Sequence, residues 1–179
     1  MTATPATLVQ QAQRAYQAKR FAEAAAGFAR AQQAFEAQGE HVQAAEQANN
    51  ASVAWLQAGD AQAALQAAEG TPDIFLAAAD QRRAGMAWGN VAAALEALER
   101  LDEALEAYQQ AADFLRIDPE TRLHVMQAIS ALQLRTGKHL QALASMQAGL
   151  ADIHKPSPKH RLLKRLLQVP LDWLNQKFS

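Results

Sequence analysis

The chain has 179 residues, the usual size of one domain with room for a substantial core. Half of the residues are hydrophobic, only 6% are aromatic and alanine is the dominant apolar type, which favours many closely packed helices over a sheet. There is no cysteine, which excludes disulfides and thiolate chemistry, and the net charge is only −1.

The N-terminal residues and the lengths of the hydrophobic stretches indicate in which cellular compartment the protein works. The first ten residues have no basic stretch followed by an apolar core, so no signal peptide is predicted. No apolar run approaches the roughly 18 residues that a membrane helix needs. The sequence therefore predicts a cytoplasmic protein without a membrane span.

Capping residues and helical periodicity predict helices along nearly the whole chain. Thr4, Asp118 and Ser157 each precede a proline, as a capping residue does at a helix start. Gly59 and Gly137 lie where helices should end. The predicted helices cover residues 5–18, 21–38, 41–57, 61–69, 73–98, 101–116, 119–136, 138–153 and 158–168.

One place interrupts this helical pattern. Gly70 and Pro72 fall inside what should be the second helix of the second pair, and proline removes a helix hydrogen bond. The sequence predicts a break there, with a short helix over 73–79. A widened turn that adjusts the curvature of the array is favoured over a functional hinge.

Small residues recur along the chain at a nearly constant period. Four alanines, each followed four residues later by another apolar residue, are spaced 40, 40 and 38 residues apart, and another small residue lies twelve positions before each. Small residues at matched points let two helix backbones approach closely, so the pattern predicts an antiparallel helix pair repeated four times. Three residues after that small residue, the first three copies have an apolar residue (Ala15, Trp55 and Leu95), whereas the fourth copy has Gln133. The matched pairs are Ala12/Ala24, Ser52/Ala64, Ala92/Ala104 and Ser130/Ala142.

The third copy carries the clearest motif. Its residues are Trp88, Val91, Ala92 and Leu95, followed by Ala104, Tyr108 and Ala111. At these spacings the chain resembles the tetratricopeptide repeat (TPR) family over roughly residues 5–153, with a period near 40 instead of about 34 residues. The resemblance implies an all-α, right-handed α-solenoid of about four antiparallel helix pairs with a C-terminal capping helix. The repeats are placed at 5–38, 41–79, 81–116 and 119–153 of a single domain, residues 1–179.

Residues 157–179 form a basic amphipathic segment. Residues 155–179 hold six Lys/Arg against one Asp/Glu, whereas residues 1–154 hold 11 against 17. Leucines at 162, 163, 166 and 167 predict a helix that Pro170 ends or bends. A cap over the apolar face of the fourth repeat is the favoured interpretation. The alternatives are partner binding or self-association, and contact with a membrane surface or nucleic acid.

The sequence has no arrangement typical of an enzyme. Glycine-rich phosphate loops, a GxSxG elbow and an HExxH motif are absent, and the five histidines show no i, i+4 pairing. We therefore predict no catalytic residue, no cofactor and no metal site. Because the main body is acidic, nucleic acid is not expected as the principal ligand.

Without an enzyme-like site, the candidate functional surface is the concave groove of the predicted helical array. In the family that the chain resembles, the first helix of each pair lines the concave side, the usual binding surface of a solenoid. Asn50 and Asn90 match a slot where an asparagine of peptide-binding members hydrogen-bonds the ligand backbone, and an amide offers both donors and an acceptor. The alternative is that each asparagine caps or bridges helices, or is solvated. The predicted groove residues are Asn49, Asn50, Val53, Gln57, Met86, Asn90, Gln127 and Arg135, with Val9, Gln10, Gln13, Tyr16 and Gln17 as the stripe of the first repeat.

The groove chemistry narrows the ligand. The stripes of the first three repeats contain no Lys or Arg, so the basic clamp with which some TPR domains grip a C-terminal carboxylate is not reproduced. We predict a non-enzymatic scaffold that binds a protein or peptide segment with apolar anchors. The alternatives are a self-assembling structural unit, which would be a homo-oligomer, and a membrane or nucleic-acid adaptor acting through the basic C-terminal helix.

Overall fold

In a computed structural model, the protein is helical over nearly all of the residues that the structure describes, which are 4–153 and 156–177. No strand occurs in these ranges, and neighbouring helices pack in adjacent pairs. The predicted all-α fold class, that of an α-solenoid, is confirmed. The helices are α1 (Pro5–Gln17), α2 (Phe21–Glu36), α3 (His41–Ala58), α4 (Ala61–Ala68), α5 (Thr71–Ala77), α6 (Gln81–Ala97), α7 (Leu101–Phe114), α8 (Pro119–Arg135), α9 (His139–Ala151) and α10 (Pro158–Lys177), with a 3-10 turn at Leu115–Ile117.

The chain divides into two compact units. The first, Met1–Leu115, contains α1 to α7, and the second, Arg116–Ser179, contains α8 to α10. The boundary falls between the third and fourth predicted repeats. That the chain acts as a single domain, and that the array is right-handed, stay predictions.

Small side chains let the helices of the first unit pack closely. Ala12, Ala24, Ser52 and Ala64, all singled out by the repeat, are buried. A Cβ atom placed on Gly27 of α2 would lie only 2.8 Å from Cβ of Ala12 on α1, which shows how near the two backbones run. The alanine-rich composition therefore serves close helix packing.

The predicted helix caps are present. The side chains of Thr4, Asp118 and Ser157 accept hydrogen bonds from the backbone N–H three residues later, at 3.3, 3.1 and 3.2 Å. Gly59 and Gly137 follow helix ends with φ of 85° and 75°, a left-handed conformation that glycine adopts without steric cost.

The break near Gly70 is confirmed, and the short helix that follows begins two residues earlier than predicted. α4 ends at Ala68, Gly70 has φ 77°, and α5 starts at Thr71. Pro72 lies in the first turn of α5, where its missing N–H has no helical partner to lose. The break brings Phe75, which is 1% exposed, into a cluster with Ala45, Ala84 and Ala87 between α3 and α6.

The predicted continuous helix over 73–98 is wrong, because α5 ends at Ala77 and α6 begins at Gln81. Ala79 adopts φ 57° in the turn between them, a conformation that usually signals glycine. The turn is closed by hydrogen bonds from the N–H of Ala79 to the carbonyl of Leu76 and from that of Asp80 to Phe75. With neither glycine nor proline at this turn, the sequence lacked the usual signal for a helix end.

In the second unit, Gln133 lies in the interface between α8 and α9. It is buried, and its Oε1 accepts a hydrogen bond of 2.8 Å from the hydroxyl of Ser145. Ser130 donates from its hydroxyl to the carbonyl of Ala142, also at 2.8 Å. The polar residue in the fourth copy is thus paired across the two helices instead of filling an apolar contact.

α10 packs on the other two helices of the second unit. Leu163 and Leu167 contact the cluster of Leu123, Leu150 and Ile153. The amide of Gln147 donates to the carbonyl of Leu167 at 2.9 Å. That this segment caps the array stays a prediction, and its side chains from residue 168 onward lie outside the described part.

The predicted end of the last helix near residue 168 is wrong, since α10 runs as far as Lys177. Proline inside a helix removes a single backbone hydrogen bond, so a helix can continue beyond Pro170. Residues 1–3, 154–155 and 178–179, the last two being the C-terminal end of the predicted capping segment 157–179, lie outside the described residues.

Candidate binding groove

Polar residues of α1, α3 and α6 line two adjoining cavities of the first unit, which share Asn50 and Val53. We call them the Tyr16 cavity and the Met86 cavity, and together the amide groove. Both residues that join the cavities lie on α3, the first helix of the second predicted repeat. The amide groove therefore follows the first helices of three repeats.

The Tyr16 cavity has a volume of about 480 Å³. The ring of Tyr16 is held by an edge contact with Phe21, with ring centroids 5.3 Å apart. Aromatic and amide groups together suit a partly apolar segment with an exposed backbone. The lining residues are Gln13, Tyr16, Gln17, Phe28, Asn50 and Val53.

The Met86 cavity has a volume of about 320 Å³. Met86 is 43% exposed at its edge. An exposed, flexible methionine beside a valine is well suited to contact an apolar anchor of a partner. The lining residues are Glu46, Asn49, Asn50, Val53, Phe75, Arg82, Arg83, Met86 and Asn90.

Asn49 and Asn90 join α3 to α6. The side-chain amide of Asn90 donates to Oδ1 of Asn49 at 3.1 Å. The hydroxyl of Thr71, which donates to the carbonyl of Ala68 at 2.7 Å, lies 3.3 Å from the same Oδ1. Asn90 thus bridges neighbouring helices, which is the alternative that the sequence left open for it.

Asn50 is placed differently. Its Nδ2 donates to Oε1 of the buried Gln47 on the same helix at 3.3 Å, a partly buried contact between residues three positions apart. Oδ1 of Asn50 and Oδ1 of Asn90 accept no hydrogen bond from any residue that the structure describes, and Nδ2 of Asn49 donates none. The cluster therefore still presents acceptors and a donor to the cavity.

Arg83 gives the Met86 cavity little net positive charge. Its Nε lies 2.6 Å from Oδ2 of Asp80, and its Nη1 lies 3.6 Å from Oε2 of Glu46. Its guanidinium also stacks 5.2 Å above the ring of Phe75. The backbone N–H and then the guanidinium of Arg83 hold the pKa of the Asp80 carboxyl below its ordinary value.

The predicted groove residues fall into three groups. Asn49, Asn50, Val53, Met86 and Asn90 are brought together at the Met86 cavity. Gln57 is exposed near the C-terminal end of α3 and lines neither cavity. In the second unit, α8 carries the other two, Gln127 and Arg135. A role of any of them in binding stays a prediction.

Sequence reasoning did not identify Glu46 and Phe75 as groove residues. Glu46 lies one turn before Asn49 on α3, and the helical stripe extended upstream would have included it. Phe75 lies on α5, whose position depends on the two turns around residues 70 and 79. The apolar run of residues 74–76 was the one signal of a packed segment there.

The described part of the chain has neither a metal-binding cluster nor a membrane-spanning helix. No three His, Asp or Glu side chains lie close enough together there to hold a metal ion. Within the same residues no helix is both long and apolar enough to cross a bilayer.

A model of a known protein family covers most of the chain. The family model described as “SNAP: Soluble NSF attachment protein, SNAP” matches residues 3–164, most of the chain. No curated protein matches the chain. This is a family of helical, non-enzymatic adaptors that bind other proteins, which agrees with the helical-repeat and scaffold predictions. The match does not name the tetratricopeptide family.

Proposed function

The chain belongs to the soluble NSF attachment protein (SNAP) family, and from this premise we propose that it is an adaptor that holds a segment of a partner protein in the amide groove. The observation that carries the proposal is the asparagine cluster. Three amides from two helices meet at a cavity of about 320 Å³ and keep acceptor and donor atoms without a partner among the described residues. Such groups pair with the backbone of any peptide.

The proposed ligand is a segment with apolar side chains and no strong charge. Val53 and Met86 supply apolar contact area, and the acids Glu46 and Asp80 offset the charge of Arg83. An acidic tail would find no unopposed cation at Arg83 and would lie against Glu46. A neutral, extended or helical segment is therefore the better fit.

The family name supplies the first partner to test. It describes soluble proteins that attach to NSF, and we propose that this chain attaches to an NSF protein of its own organism. We further propose that the helices form tetratricopeptide-type repeats and that the protein works in the cytoplasm.

The experiment compares single amide variants of α3. Asn50→Ala removes a groove amide whose described hydrogen bond is to its own helix, whereas Gln57→Ala removes an exposed amide outside both cavities. Binding to purified NSF, and capture of partners from a lysate of the native organism, are measured for both variants and the wild-type protein. We expect Asn50→Ala to weaken binding about tenfold, since a lost hydrogen bond to a ligand costs about 1 kcal/mol or more.

Two controls give the result its meaning. Thermal unfolding must match across the three proteins, and Gln57→Ala must bind like wild type. If Asn50→Ala binds the partner as well as wild type does, the groove proposal is contradicted. If Asn50→Ala and Gln57→Ala both lose partner binding, the loss reflects a change in α3 as a whole and not the groove amide.

A further inference from the structure

The outward side of α10 combines aliphatic and cationic side chains. Leu163 and Leu167 point onto the core of the second unit, whereas Leu162 is 59% and Leu166 60% exposed. Exposed leucines in adjacent turns of one helix form a small apolar ridge. Nothing within the described chain covers this ridge.

Cations lie on both sides of the leucine ridge. With about 100° of rotation per residue, Leu166 lies about 40° from Leu162 around the helix axis. Lys159 and Arg165 each lie about 60° from Leu162, on opposite sides of the ridge. Lys164 lies about 160° away, on the far side of the helix. The ridge is thus bracketed by Lys159 and Arg165, and Lys164 is not part of this face.

The charge of this face is not balanced by acids of the same segment. Lys159, Arg161 and Arg165 are exposed, and none of them forms an ion pair with a residue that the structure describes. The sequence has no Asp or Glu between residues 153 and 171. The second unit as a whole holds ten Lys/Arg against four Asp/Glu, and the first unit seven against 14.

We propose that this face of α10 binds the surface of an anionic lipid membrane. Leucines that enter the boundary between headgroups and acyl chains, with flanking cations on the lipid phosphates, are the arrangement by which amphipathic helices lie on membranes. The long stems of Lys159 and Arg165 reach the phosphates while the leucines are buried. None of these residues lines the amide groove.

The leucines favour lipid over other anionic partners. A nucleic-acid chain is recognised by cations and stacking aromatic side chains, and the described side chains of α10, residues 158–167, include no Phe, Tyr or Trp. An exposed pair of leucines contributes nothing to phosphate contacts alone. An acyl layer provides the apolar phase into which they can be buried.

The test is flotation of the full-length protein with vesicles. Vesicles of phosphatidylcholine with about one third phosphatidylserine are compared with phosphatidylcholine alone, at low and high salt. We expect binding to the anionic vesicles that weakens with salt. Leu162→Ser should reduce it about tenfold, the loss expected for one buried leucine, whereas Leu140→Ser alters an equally exposed leucine of α9 and should leave it unchanged.

A second matched pair tests the cations. Lys159→Gln should weaken binding to anionic vesicles about fivefold, as expected for one interfacial charge, and Lys164→Gln should not. The proposal is overturned if wild type does not float with the anionic vesicles, if it binds neutral vesicles equally, or if each variant equals its control. Light scattering provides a further check. If it shows a concentration-dependent dimer that Leu162→Ser abolishes, the leucine ridge binds a second copy of the chain and the membrane proposal is overturned. An oligonucleotide bound through Lys159 and not Leu162 likewise overturns it.

Discussion

Gly85 and Gly89 lie one turn apart on α6 and have opposite surroundings. A Cβ atom on Gly85 would come within 2.7 Å of Cγ of Leu115 and 3.2 Å of the carbonyl oxygen of Ala111, whereas one on Gly89 would meet nothing within 4 Å. Leu115 is 0% exposed, and the oxygen of Ala111 belongs to the backbone, so neither is the free end of an exposed side chain that could easily yield. The same substitution should therefore have opposite effects at the two positions.

We predict that Gly85→Ala lowers the free energy of unfolding by about 1–3 kcal/mol through overpacking. Gly89→Ala should raise it by about 0.5–1 kcal/mol, because alanine is the better helix former and the site has room. Urea denaturation of both variants measures the difference. If both variants change the free energy of unfolding by the same amount and in the same direction, helix propensity and not the contact with α7 determines the effect of these substitutions.

Tyr108 provides a pH-dependent contribution to stability. Its hydroxyl donates to Oε2 of Glu96 at 3.0 Å, and burial, followed by the nearby Glu96 carboxylate, raises the pKa of Tyr108 well above its ordinary value. Because folding raises this pKa, the contribution of Tyr108 to the free energy of unfolding is complete below the pKa of tyrosine in the unfolded chain, near pH 10. It is lost as the pH rises above that value.

We predict that Tyr108→Phe costs about 1 kcal/mol at neutral pH, through the lost hydrogen bond. Above about pH 10 the free energy of unfolding should fall less steeply in the variant than in wild type, because the variant has no phenol to ionise. Denaturation at several alkaline pH values tests this. Parallel pH profiles for the two proteins would contradict the assignment.

Single residues also show how far sequence reasoning reached. Asn50 and Asn90 occupy equivalent repeat positions, but only Asn90 bonds to a neighbouring helix, through Asn49. The repeat pattern placed both amides on first helices, and both line the Met86 cavity, while their part in binding stays a prediction. It could not predict the pairing of Asn90 with Asn49, because these residues are 41 positions apart on different helices and meet only through the packing of α3 against α6.

At the scale of elements, the turn before α6 connects stability to the groove. Oδ1 of Asp80 accepts from the backbone N–H of Arg83 at 2.8 Å, and Oδ2 lies 2.6 Å from its Nε. Asp80 thus caps α6 and positions an arginine that lines the Met86 cavity. Asp73, in the first turn of α5, is exposed and has no such hydrogen bond among the described residues.

We predict that Asp80→Ala destabilises the protein by about 1–2 kcal/mol, as loss of an N-cap does, and that Asp73→Ala changes stability by only a few tenths. Since folding lowers the pKa of Asp80, its contribution is present above the ordinary value of 3.8 and is lost as pH falls below it. The gap between wild type and Asp80→Ala, measured by denaturation, should therefore narrow below about pH 4. A gap that persists unchanged at lower pH would mean that the cap does not depend on the carboxylate.

Helix ends marked by glycine or proline were predictable from the sequence, and so were two turns that contain neither, at Lys19 and Glu99. The turns at Gly59, Gly70 and Gly137 all have positive φ. The turn at Ala79 has the same geometry without a glycine, and the predicted helix over 73–98 ran through it, although a short helix over 73–79 was also predicted. Tertiary packing of Phe75 between α3 and α6 stabilises that turn, and such packing is not readable from local sequence.

For the whole molecule, the two units differ in charge and in exposed apolar surface. The first unit has a net charge of −7 and the second +6, from the residue counts given above. Most of the strongly exposed large hydrophobic residues of the described chain lie in the second unit: Ile117, Leu134, Leu140, Leu162 and Leu166. The composition of the full chain, with its net charge of −1, conceals this division.

Because the chain divides into two compact units, we predict that the first unit folds and binds the proposed partner without the second. A fragment of residues 1–117 retains α7 and Leu115, which cover Gly85 of α6, whereas a fragment of residues 1–97 exposes that face. We expect the longer fragment to unfold cooperatively on heating, followed by circular dichroism, and the shorter one to lose cooperativity. The longer fragment should also keep the partner bound through the amide groove and lose flotation with anionic vesicles. A longer fragment that melts without cooperativity would show that the first unit needs the second to fold, and one that still floats would move membrane contact away from α10.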